Sequence, residues 1–231
     1  MDTTVSGVGV VDKAATLLSA LEDAAGPLAL SELVAATGLS RATTHRLGVA
    51  LEAHGLVRRH DDGRFALGLR LVGLGRAASD GLPLVEAAHP ALEALRDETG
   101  ESVQLYVREG GERVCVASLE SLHGLRTIVR LGAALPLDRG SAGKVLQGEA
   151  AALARGWAES VGEREAGVAS VSAPVLDGDG RVRAAVGVSG PIERTTRSPG
   201  RRYGAAVARA ARAVEAAAGY RSRRLGPGQS G

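Results

Sequence analysis

SELVAATGLSRATTHRLGVALEAHGLVRR, running from Ser31 to Arg59, has the spacing of two short helices joined by a tight turn and followed by a basic strand. Leu30, Leu33 and Val34 recur at helical spacing, Ser31 stands near the start of that run as a cap, and Gly38 supplies its C-terminal turn. Ser40 restarts a helix. In this second helix Thr43, Leu47, Ala50, Leu51 and His54 fall on one side at the 3.6 period, which predicts that they pack inward. Arg41, Ala42, His45, Gly48 and Val49 then look outward. Arg41, Thr44, His45 and Arg46 place hydrogen-bond donors near the helix N-terminus, where base edges and phosphates of a duplex are usually met. With Ser40 and Thr43 they form the candidate DNA-reading set.

Gly55 ends the helix, and Leu56, Val57, Arg58 and Arg59 lead into HDDGRF. Asp-Gly between two short apolar runs is a strong hairpin signal, so a two-stranded wing is expected, with Arg58, Arg59 and Arg64 available for phosphates. A helix pair alone occurs in many domains that never touch DNA. The basic hairpin immediately behind it turns the pair into a winged helix-turn-helix.

Composition narrows the partner. Aromatic residues are 2% of the 231-residue chain, too few to build a platform on which single-stranded bases stack, so duplex DNA is the expected nucleic acid. Residues 1–80 hold eight Lys and Arg against nine Asp and Glu, which excludes a general polyanion binder and leaves attraction to local placement. Cys115, the only cysteine, excludes internal disulfides and thiolate zinc clusters, and in VCVAS it reads as a small core residue. No apolar run approaches a membrane span and the N-terminus lacks a secretory pattern, so the expected location is the cytoplasm, with no membrane partner.

Before the winged helix, Val10, Ala14, Leu17, Leu18 and Leu21 predict an amphipathic helix that completes a three-helix core. After it, Leu67, Leu71 and Leu74 suit a linker helix, and Asp80, Gly81 and Pro83 break the pattern. The expected organisation is a DNA-binding domain over 1–68, a linker helix over 69–80, a second domain over 81–220 and a disordered tail over 221–231. Within the second domain a helix from Leu84 to Thr99 precedes the strands SVQLYVR and RVCVAS. A strand around Thr127 to Val129 and a short helix after Gly140 follow, then VASVSAPVL, a turn at DGDG, VRAAVGVSG and an Ala-rich helix from Tyr203 to Ala218. The fold class is α+β, with an antiparallel sheet flanked by helices in the manner of a GAF or PAS sensor.

Catalysis finds no assembled constellation. GSAGK departs from a phosphate-binding loop because Asp138 stands where its first glycine belongs and Val145 replaces the magnesium-binding hydroxyl. GVGVVD lacks the third glycine of a dinucleotide site, and Ser189 before Gly190 lacks a hydrolase nucleophile elbow. The five histidines show no zinc spacing. No enzyme activity, metal or cofactor is expected.

The winged-helix block, the linker, LDRGSAGKV and VGVSGPIER together resemble the IclR family of bacterial transcription regulators, over roughly Gly9 to Tyr220. GESVQLYVREGGERVCVAS and SGPIERTTRSPGR are similar to its actinobacterial NdgR type, associated with leucine biosynthesis and nitrogen-source response. The resemblance implies a homodimer or a dimer of dimers on a palindromic operator. It also implies a small organic effector, an amino acid or keto acid among the candidates.

Its acid would sit at the start of the helix after Gly140, with Ser141 and Ala142 as backbone donors and Ser160, Ser170, Gly187 and Ser189 as further pocket positions. Several members place an acidic side chain or a cysteine where this chain has Ser160 and Ser170. The resemblance also implies further helix after Gln147, where here only GEAAALA precedes ARGWAESVGE. A constitutive DNA-binding regulator with a vestigial sensor domain is the alternative that this shortening leaves open.

Overall fold

Ser40 decides where the second helix of the quoted stretch begins. Its Oγ accepts the Thr43 amide at 3.3 Å and lies 2.9 Å from Thr43 Oγ1, satisfying a donor that the helix itself leaves unpaired. The computed structural model describes residues 7–80 and 83–220, in two units that divide between Gly81 and Leu82. The tail expected over 221–231 lies outside the described residues.

The first unit holds α1 (Gly9–Asp23), α2 (Leu30–Thr37), α3 (Arg41–Ala53), β1 (Val57–Arg59), β2 (Phe65–Leu67) and α4 (Arg70–Asp80). Leu17, Leu21, Leu33, Leu51, Val57 and Phe65 form its core. Full burial of side chains of this size stabilises by about 1.5–3 kcal/mol each, more than helix propensity supplies, so these six fix how the three helices meet. Gly38 takes φ 68° at the end of α2, as a C-terminal glycine should. The cap of α2 is Ala29 rather than Ser31: the Ala29 amide donates to Glu32 Oε2 at 2.6 Å, so the acidic residue of the first turn does the capping. Val10, expected in the core, is 63% exposed on α1.

The inward face of α3 is one residue away from the expected one. Thr44, Gly48 and Leu51 are buried, while Ala50 and His54 are exposed. Phe65 causes the rotation: its ring lies so close to α3 that a Cβ on Gly48 would stand 2.8 Å from Cε1. Only glycine lets the wing strand seat its one large side chain against the helix. The wing pairs Val57 with Leu67, Arg58 with Ala66 and Arg59 with Phe65 around a turn with Gly63 at φ 82°.

The second unit is built on a six-stranded antiparallel sheet. Its elements are α5 (Pro83–Thr99), β3 (Ser102–Glu109), β4 (Glu112–Leu119), β5 (Ala134–Pro136), α6 (Ser141–Leu146), α7 (Ala150–Arg155), β6 (Ala158–Val161), β7 (Val168–Leu176), β8 (Val182–Pro191), α8 (Ile192–Thr195) and α9 (Pro199–Ala217). Strand order is β5-β4-β3-β8-β7-β6. The strand expected around Thr127 to Val129 lies instead at Ala134–Pro136, and β6 and α8 had no forecast.

Alternation along the strands divides the sheet into two faces. Val103, Leu105, Val171, Ala173, Val186 and Val188 point to α5 and α9, whose Leu92, Leu95, Val207 and Val214 complete an aliphatic core. Tyr106, Cys115 and Ala185 point to the opposite side, against Val145 and Leu146 of α6. This second face carries the polar residues of the unit.

Candidate functional site

The outer surface of α3 and the wing form one basic face. Arg41, Ala42, His45 and Arg46 are exposed on α3, and Arg58 is exposed on β1. Among the described residues Arg41, Arg46 and Arg58 have no carboxylate within ion-pair distance. Arg41, Ala42, His45, Arg59 and Gly63 line a groove between helix and wing. Arg59 lies over the Phe65 ring, 4.5 Å from its centroid, and meets Glu52 at 3.3 Å. Arg64 lies 3.6 Å from both Glu32 and Asp62 and donates to the Pro27 carbonyl. Half-exposed pairs of this kind are worth about 0–1 kcal/mol, so a phosphate competes with them readily.

Thr44 does not belong to that face. It is fully buried, and its hydroxyl donates to the Ser40 carbonyl at 3.1 Å, back into the helix. Ser40 and Thr43 are occupied mainly with each other as the cap. The exposed set is therefore Arg41, His45 and Arg46 on α3 with Arg58, Arg59 and Arg64 on the wing, of which Arg59 and Arg64 also hold ion pairs.

The second site lies on the polar face of the six-stranded sheet. Register brings its residues together: Ser160 stands opposite Ser170, Ser170 opposite Ser189, and both Ser172 and Gln104 opposite Gly187. The six positions Ser141, Ala142, Ser160, Ser170, Gly187 and Ser189 all line one cavity beneath the start of α6. Gly187 leaves room there, because a Cβ would stand 2.6 Å from Ser172 Oγ. Ser141 Oγ donates to Ser170 Oγ at 2.8 Å and lies 2.8 Å from Ser172 Oγ, tying α6 to β7.

Several lining residues had no forecast. Gln104 and Tyr106 rise from β3 and Arg113 from β4. Period-two alternation in SVQLYVR was the available signal, since it sets Gln104 and Tyr106 on the face opposite Val103 and Leu105. Arg113 is 3% exposed and donates to the carbonyls of Pro136 and Arg139, which holds the loop before α6 in place. Burial pulls its guanidinium below the ordinary arginine value, with Arg164 adding repulsion, while burial pushes the neighbouring Tyr106 hydroxyl well above the usual tyrosine range.

A turn borders the cavity on its outer side. Between β6 and β7, Arg164 and Glu165 line the space, and Glu163 latches the turn to α6. Its carboxylate accepts from Lys144 Nζ at 2.6 Å and from the Gly140 amide at 3.1 Å, bonds that lower its pKa against the opposing effect of burial. The cavity left inside is about 30 Å³. Among the described residues no group of His, Cys, Asp and Glu could hold a metal ion, and no helix is long and apolar enough to cross a membrane.

Comparison with known proteins matches residues 10–61 to the IclR helix-turn-helix domain, and residues 76–152 and 149–216 to the bacterial transcriptional regulator IclR C-terminal domain. The glycerol operon regulatory protein of Streptomyces coelicolor is 30% identical, over 95% of this chain and 97% of its own. The transcriptional repressor IclR of Escherichia coli is 26% identical, over 88% of this chain and 87% of its own. An IclR homolog from Microbacterium hydrocarbonoxydans, solved in complex with 4-hydroxybenzoate, shares the fold at a TM-score of 0.76 and 20% identity, covering 90% of this chain and 98% of that one.

Proposed function

The chain belongs to the IclR family of DNA-binding bacterial transcriptional regulators, and from that premise we propose that it binds a palindromic operator through α3 and the wing and releases or reshapes that binding when a small organic acid enters the cavity beneath α6. The observation that carries this reading is the cavity itself. Five serines, Gly140 and Gly187 from separate strands and the start of α6 converge on one space, and among the described residues the Ser141 and Ala142 amides have no protein acceptor. A vestigial sensor would have no reason to keep that face polar, since apolar packing there would cost less.

The Microbacterium protein was solved with a carboxylic acid, which supports an acid as the class of effector. The narrower likeness to the NdgR type adds amino acids and keto acids as candidates. Homologues carry glycerol and other operon names, so the regulated pathway does not follow from family membership. Exposed apolar residues support a homodimer: Val10 and Val11 on α1, Leu69 before α4, and Val72 and Leu74 on it are between 49% and 71% exposed, or 75% for Leu69. A two-fold axis would set two reading helices on half-sites about one helical turn apart or a multiple of it. The expected setting is the cytoplasm.

Fluorescence anisotropy of the purified full chain on labelled promoter DNA, with and without a panel of carboxylic acids, tests the reading. Operator affinity that shifts with at least one acid supports it. Tight binding that no acid alters would favour the constitutive alternative.

A further inference from the structure

Among the described residues, Thr196 is the one non-glycine residue with positive φ. It stands at φ 69° and ψ 173°, a region of backbone space reserved almost entirely for glycine and still less open to a β-branched residue. Packing does not explain it, because Thr196 is exposed. Its hydrogen bonds are local: its amide donates to the Ile192 carbonyl at 2.8 Å, and its Oγ1 accepts the Ser198 amide at 3.2 Å. A residue held in such a conformation persists only where its surroundings over-determine it.

Those surroundings fix both ends of the stretch. On the β8 side, Arg194 of α8 donates Nε to Glu101 Oε1 at 2.7 Å and a terminal nitrogen to Oε2 at 2.8 Å, a two-pronged ion pair. Glu101 is 2% exposed and lies so close to the end of β8 that a Cβ on Gly190 would stand 2.4 Å from Oε2. Separating the pair would leave this carboxylate charged and buried, so the contact resists opening. The buried Thr195 hydroxyl donates to the Pro191 carbonyl at 2.8 Å. On the α9 side, the Gly200 amide donates to Glu159 Oε2 at 2.8 Å, and the Trp157 ring takes the space in which a Cβ on Gly200 would stand. Arg202 donates back to the Arg194 carbonyl. Thr196 spans the gap between these two anchored ends.

We propose that residues 191–198 form a strained strap, sprung at Thr196 and held closed by the Glu101–Arg194 pair. With the pair closed, the chain makes its turn through the glycine-like conformation of Thr196. With it open, Thr196 relaxes to negative φ and α8 parts from Glu101. Gly187 and Ser189 of the cavity lie on β8, so the strap joins one wall of the cavity to the start of α9.

Thermal unfolding of the full chain, followed by fluorescence of Trp157, the only tryptophan, reads the strap, since that ring rests on the first turn of α9. Glycine ordinarily lowers stability by freeing the unfolded chain, so a gain from Thr196→Gly has strain relief as its source. The midpoint is expected to rise by about 2–4 °C. Thr196→Ala removes the same hydroxyl but keeps Cβ, and should not match that gain. In a Glu101→Gln background, where the strap is already open, Thr196→Gly should bring no rise. If Glu101→Gln fails to fold, Arg194→Lys supplies the second background, keeping the charge and losing the fork.

A midpoint that Thr196→Gly leaves unchanged or lowers, or that Thr196→Ala raises equally, overturns the strain and with it the strap. A rise of the same size with and without the ion pair overturns Glu101 and Arg194 as its clasp.

Discussion

Arg41 and Arg46 leave α3 as exposed side chains without carboxylate partners, which suits them to base edges. Arg41→Ala or Arg46→Ala is expected to weaken operator binding by about 1–3 kcal/mol where the side chain reads a base, and to relax sequence preference. Arg58 on the wing is a phosphate contact, so Arg58→Ala should lower affinity for every sequence and reduce the salt slope by about 1. Anisotropy on operator and scrambled DNA at several salt concentrations separates the two behaviours. Gly48→Ala probes the other side of the same helix: its Cβ meets the buried Phe65 ring, and overpacking of this kind costs about 1–3 kcal/mol. Thermal unfolding is expected to show a lower midpoint for that variant, and an unchanged midpoint would remove Phe65 as the cause of the helix rotation.

Elements show which parts of the fold could be read in advance. Ser40, Gly38 and the Asp-Gly turn act within a few residues of themselves, so α2, α3 and the wing were legible from the sequence. The face of α3 was not, because Thr44 and Gly48 turn inward to suit Phe65, a residue some way down the chain. Likewise VASVSAPVL and VRAAVGVSG declare strands by composition, whereas β5 and β6 have three and four residues and owe their existence to the edges they pair with. The cavity residues Ser141, Ala142, Ser160, Ser170, Gly187 and Ser189 came from family likeness; strand alternation in SVQLYVR could have added Gln104, whereas Arg113 reaches the cavity only through the pairing of β4 with β3.

The β6–β7 turn borders the cavity and is latched to α6 by Glu163. Glu163→Gln should weaken its hold on Lys144 and speed effector association, measured by stopped-flow fluorescence of the protein's tryptophan. Acid acts in the same direction. The folded-state pKa of Glu163 is depressed, so the latch is present above the ordinary carboxylate range and is lost as pH falls through the lower folded value. The groups facing it are Lys144, the Gly140 amide and Ser160, none of which loses positive charge or gains a proton-dependent repulsion on acidification. Association that slows in the variant would contradict the latch.

At the scale of the molecule, two units with separate cores share one chain, one carrying a basic face and the other a polar cavity. The charge over residues 1–80 is nearly balanced, so selectivity must come from placement rather than from bulk attraction. Footprinting the purified chain on the DNA upstream of its own gene tests this most directly, with native protein and Arg41→Ala side by side. The account predicts a protected, two-fold symmetric site with half-sites one helical turn or a multiple apart, lost from Arg41→Ala at equal concentration. Protection that is absent, lacks symmetry or survives unchanged in Arg41→Ala would contradict it.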